Sequence, residues 1–71
     1  MNAAKATSQD ARYELCFRPL YEPLRGFAFP CDRHGRVDLD TLGERARNNY
    51  LYARALVGRE LASPDVEPAS A

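Results

Sequence analysis

The chain has no tryptophan, one histidine, one methionine, two cysteines and a single lysine, Lys5, in 71 residues. Each scarcity excludes something. No apolar run approaches the roughly 18 residues needed to span a bilayer, so a membrane-spanning protein is excluded. Ten basic residues balance ten acidic ones, which leaves no global pull toward nucleic acid or an anionic membrane. Two cysteines are too few for a disulfide framework, and the start MNAAKATSQDAR lacks a basic region followed by an apolar run, so the sequence predicts a cytoplasmic, reduced protein. With one histidine, His34, the supply of general bases and imidazole ligands is thin.

What is present begins with a pattern of period two. In RYELCFR, Tyr13, Leu15 and Phe17 alternate with Arg12, Glu14, Cys16 and Arg18, as in a strand with one wet face. Pro19 and Pro23 make PLYEPLR a connecting loop, although Leu20, Tyr21 and Leu24 give it more apolar surface than a solvated turn needs. GFAFPC is a second strand, with Phe27, Phe29 and Cys31 on one face and Ala28 and Pro30 on the other; Pro30 places one side of it at a sheet edge. Asp32 to Gly35 is a turn, and Arg36-Val37 is the candidate third strand.

The longest periodic stretch is Val37 to Leu61. Leu39, Leu42, Ala46, Tyr50, Ala53, Val57 and Leu61 fall at steps of three and four, which predicts one long helix with a single apolar face. Asp38 is its expected N-cap, with Val37 and Leu42 as a hydrophobic staple. Gly43 lies on the apolar face, where a strand or loop would approach closely, and Gly58 marks fraying or an early stop. The expected architecture is therefore α+β: a small antiparallel β-hairpin of two strands, or three with Arg36-Val37, packed against one long C-terminal α-helix. Residues 12–62 form the single domain, with 1–11 as a disordered leader and 63–71, SPDVEPASA, as a disordered tail.

Candidate chemistry is sparse. Cys31-x-x-His34 has half the spacing of a zinc site, but a structural site needs four ligands, and alternation puts Cys16 on the opposite face. The bland reading, a buried cysteine beside an exposed turn histidine, is preferred, and the same facing argument opposes a Cys16–Cys31 disulfide in a simple hairpin. No phosphate loop, nucleophile elbow or paired catalytic carboxylates occur. The sequence thus predicts no enzymatic activity, no cofactor, no metal and no small-molecule ligand. A helix of about 23 residues would run to roughly 35 Å, whereas strands of about six residues span about 20 Å. YLYARALV would then overhang the sheet, and Leu51, Tyr52, Ala55 and Leu56 would need a partner, the simplest being a second copy. Leu20, Tyr21 and Leu24 are candidates to extend that surface. The alternative is a nucleic-acid accessory protein using Arg12, Arg18, Arg25, Arg33 and Arg36, which would make one end of the domain basic. Interspersed Glu14, Glu22 and Asp32 weigh against it.

The run FAFPCDRHGRVDLDTLGERARNNYLYARALVGRE, preceded by YELCFRPLYEPLRG, resembles a set of short uncharacterised proteins predicted from proteobacterial genomes. The similarity covers Tyr13 to Glu60. It implies a compact bacterial cytoplasmic protein, and it transfers no activity and no site residue.

Overall fold

A computed structural model describes residues 12–69 of the chain. Strands β1 (Tyr13–Phe17) and β2 (Phe27–Cys31) precede one helix, α1 (Glu44–Leu56), and a closing strand, β3 (Asp65–Pro68). The sheet is antiparallel throughout, in the order β2-β1-β3. The expected α+β class and the hairpin are therefore both present, with a third strand that comes from the end of the chain rather than from Arg36-Val37.

The strands obey their alternation. Leu15 pairs with Phe29 and Phe17 with Phe27, while Cys16 pairs with Ala28 on the opposite face. At Gly26 a Cβ would stand 2.6 Å from the carbonyl oxygen of Phe17, so only glycine permits the backbone to enter β2 that close to β1. Of the three strands, β1 alone contains no proline, and it alone is hydrogen-bonded on both sides.

The tail expected at 63–71 is ordered through Ala69 and contributes β3; the leader at 1–11 lies outside the described residues, as do Ser70 and Ala71. Pro64 precedes this strand and Pro68 ends it. The pairing shows why they do no harm: Ala69 N–H donates to the Arg12 carbonyl at 2.8 Å, so odd-numbered residues of β3 bond to β1, and Pro64 and Pro68 turn their missing donors outward. The same parity, carried across β1, leaves Tyr13, Leu15 and Phe17 bonding to β2 and puts Pro30 on the outer edge. Both edges of the sheet are thus blunted by proline.

The helix is 13 residues long rather than running from Val37 to Leu61. Its first expected turn is spent locally: Asp38 Oδ1 accepts from the Asp40 amide at 3.0 Å, and the Asp38 carbonyl accepts from both the amide and the hydroxyl of Thr41. These short polar side chains stabilise a separate turn in competition with the helix. Gly43 then occupies the N-cap with extended backbone and no side-chain cap, and a Cβ there would meet nothing within 4 Å, so the expected close approach at Gly43 does not occur. At the other end Gly58, at φ +86°, reverses the chain. The Leu56 carbonyl collects the amides of Arg59, Glu60 and Leu61 at 2.9–3.1 Å, closing the helix eight residues before Pro64.

The apolar periodicity survives this shortening. Tyr50, Ala53 and Leu61 are buried with Leu15, Phe17, Phe29 and Cys31, and Leu39, Leu42, Leu56 and Val57 pack against them. Phe17, Phe29 and Tyr50 meet edge to face in a closed triangle, with centroids 5.3–6.3 Å apart and planes at 77–87°, each such pair adding about 0.5–1.5 kcal/mol beyond its area burial.

Candidate functional site

A 13-residue helix is about 20 Å long, close to the roughly 17 Å of a five-residue strand. No half of it overhangs the sheet, and the length mismatch expected from the sequence is absent. The outer face of α1 is nonetheless apolar. Leu51 and Tyr52 are 53% and 57% exposed, in a chain whose other large exposed hydrophobics are Leu20 (47%), Tyr21 (55%) and Val66 (39%) among the described residues. Ala55 is exposed beside them, whereas Leu56 and Leu24 are half-buried, Leu56 against the core.

Contacts tie Tyr52 to the sheet and Leu20 and Tyr21 to the turn that ends the helix. Tyr52 meets Phe27 edge-on at 6.2 Å, at the end of the sheet where the loop between β1 and β2 lies. Leu20 N–H donates to the Glu60 carbonyl at 2.9 Å, and the Tyr21 hydroxyl to the Arg59 carbonyl at 3.4 Å. Leu51 and Ala55 are one helical turn apart on α1, and Leu20 and Tyr21 are tied to the turn that follows it. The apolar loop between β1 and β2 is thus anchored to the turn that follows α1.

The arginines do not converge. Arg25 precedes β2 while Arg33 and Arg36 follow it, and the register puts Arg12 at the end of Arg33 and Arg36 and Arg18 at the end of Arg25, so the five are divided between the two ends of the hairpin. Arg18 pairs with Glu67 across the open face of the sheet, and Arg36 lies 4.0 Å from Asp32. That open face carries Glu14, Asp65 and Glu67 among Arg12 and Arg18, a mixed surface rather than a phosphate track.

Cys31 is buried and Cys16 half-buried on the other face, and both thiols are free. Burial raises the Cys31 thiol above its ordinary range, with Asp32 adding to the effect. Burial also raises Cys16, with Glu67 and Glu14 opposing the thiolate and Arg18 favouring it. Neither is activated as a nucleophile. His34 lies on the turn after β2, and among the described residues no group of three His, Cys, Asp or Glu is placed to hold a metal ion.

One feature escaped the sequence reading altogether. Between α1, β3 and the turn after β2 lies an open groove of about 510 Å³, lined by the apolar Leu15, Val57, Pro64 and Val66 and by His34, Tyr50 and Arg54. It exists because α1 packs toward β2, leaving Val66 on β3 partly uncovered. The signal in the sequence was slight: Arg54 follows Tyr50 by one helical turn, and its contact with the groove required the position of β3.

No family model matches this chain, and comparison with curated proteins and with solved structures finds no match to either.

Proposed function

We propose that this is a non-catalytic protein-interaction module that self-associates through the outer face of α1, with Leu51, Tyr52 and Ala55 at the centre and Leu20 and Tyr21 extending the contact. The observation that carries this reading is the pair Leu51 and Tyr52, each more than half exposed on a helix whose inner face already satisfies the core. A small domain with a limited core gains stability by covering such a surface. The helix face alone is a small footprint against the roughly 800 Å² per partner of a standard interface, so the anchored loop residues belong to the reading. Edge-to-edge extension of the sheet is the competing mode, and the outward prolines oppose it, leaving Val66 and Ala28 as the outward amide donors within β3 and β2. A two-fold arrangement of helices would place the same ridge on both copies. Free thiols fit a reducing compartment, and a cytoplasmic homodimer follows as the working form.

The test is solution mass by sedimentation at high micromolar concentration, for the wild type and for Leu51→Glu/Ala55→Glu, two exposed positions that leave the core intact. The reading expects a dimeric wild type and a monomeric, folded double variant. A monomeric wild type sinks it.

A further inference from the structure

We propose that the groove between α1 and β3 is a binding site for a small organic carboxylate, an anionic head on a short apolar body, with Arg54 and His34 receiving the head.

Arg54 is held in position before any ligand arrives. Its Nη1 donates to the Tyr50 hydroxyl at 2.8 Å, and its guanidinium carbon lies 5.7 Å from the centroid of the Tyr50 ring. Tyr50 is itself fixed by the aromatic triangle of the core. Of the five N–H donors of a guanidinium, this arrangement occupies one and leaves a fork of the kind that grips carboxylates. Restricting a long side chain in advance lowers the ordering cost of binding.

The opposite wall is equally fixed. Asp32 Oδ1 accepts from the amides of His34 at 2.8 Å and Arg36 at 2.9 Å, setting the turn that carries His34. Gly35 has φ +86°, and a Cβ there would lie 3.1 Å from Val66 Cγ2 and 3.6 Å from Leu15 Cδ1. Glycine therefore lets the turn close down on the apolar wall. Among the described residues the groove lining contains no acidic side chain, and no carboxylate forms an ion pair with Arg54 or His34. Asp32, outside the lining, binds the backbone amides of His34 and Arg36, and its negative charge acts on both of those side chains, so the positive charge offered to an anionic head is that of Arg54. The charge asymmetry selects an anion, the walls of Leu15, Val57 and Val66 select an apolar body, and about 510 Å³ lies within the usual range for small-molecule sites.

The experiment is an amide-resolved NMR titration of the full chain with 4-phenylbutyrate, its neutral analogue 4-phenylbutanol, and sodium sulfate as a head without a body. The expected result is saturable shifts at Gly35, Val57 and Val66 with phenylbutyrate, at least about tenfold weaker binding of the alcohol, and weak or no binding of sulfate. Arg54→Gln should weaken phenylbutyrate about tenfold, in keeping with loss of a charge-assisted hydrogen bond, and His34→Gln, in an exposed turn, by less. A well-dispersed spectrum for each variant confirms that the fold is kept. Equal affinity for acid and alcohol, insensitivity to Arg54→Gln, shifts centred outside the groove, or no shift at about 20 mM would each overturn the proposal. Leu51 lies outside the groove, so the titration is run on the uncharged Leu51→Ser, which weakens self-association without placing a new carboxylate one helical turn from Arg54 and should bind phenylbutyrate as the wild type does.

Discussion

The two faces of α1 differ more than their sequences suggest. Tyr50 and Ala53 on the inner face are buried, and Ala53 is wholly inaccessible; Leu51 and Tyr52, their immediate neighbours, are more than half exposed. Hydrophobicity does not separate the two sets, since the exposed pair is as apolar as the buried one. Geometry separates them: at about 100° per residue, positions 50, 53 and 57 fall over the sheet while 51, 52 and 55 fall away from it. The inner face is explained by the fold of one chain. The outer face is not, and that is the reason for assigning it to association.

Substitutions should split along this line. Phe17→Ala removes a fully buried ring from the centre of the inner cluster and should cost about 3–5 kcal/mol in denaturant unfolding, enough to unfold a domain of this size under many conditions. Ala53→Leu puts a large side chain where there is no accessible space and should cost about 1–3 kcal/mol by overpacking. Gly58→Ala should cost about 1–2 kcal/mol from the positive φ alone, because an added Cβ there meets nothing within 4 Å; a neutral result would show that the helix stop is not set by this backbone conformation. Leu51→Glu should change the stability of the monomer by no more than about 0.5 kcal/mol, measured at a concentration low enough to dissociate any dimer. A large loss in the dissociated monomer would erase the distinction between the faces.

The parts of the fold that follow a strict period were legible in advance. Alternation identified β1 and β2 and their core faces, and the three-four spacing selected Tyr50, Ala53, Val57 and Leu61 correctly even though Leu61 lies beyond the helix. The same spacing misjudged the extent of the helix, because a periodic apolar face can be shared by a turn, a helix and a reversed segment. Asp38 and Thr41 can cap a single turn as well as a long helix, and only their actual partners decide which. β3 was hidden for a different reason: the segment from 63 to 71 has the composition of a disordered tail, and whether its prolines obstruct a strand depends on which way their absent amides point, which is a property of register. The groove beside Arg54 depended in turn on β3, so it was beyond reach for the same reason.

The surface around Leu51 and Tyr52 can be tested without substitution. An isotope-filtered NOE experiment on a mixture of labelled and unlabelled wild-type chains reports contacts between copies alone. The account predicts intermolecular NOEs from the Leu51 methyl groups to the aromatic ring of Tyr52 or Tyr21 in the second copy, as a two-fold pairing of the outer helix faces requires. Intermolecular contacts along the edges of β2 or β3 instead, or none at high micromolar concentration, would contradict it.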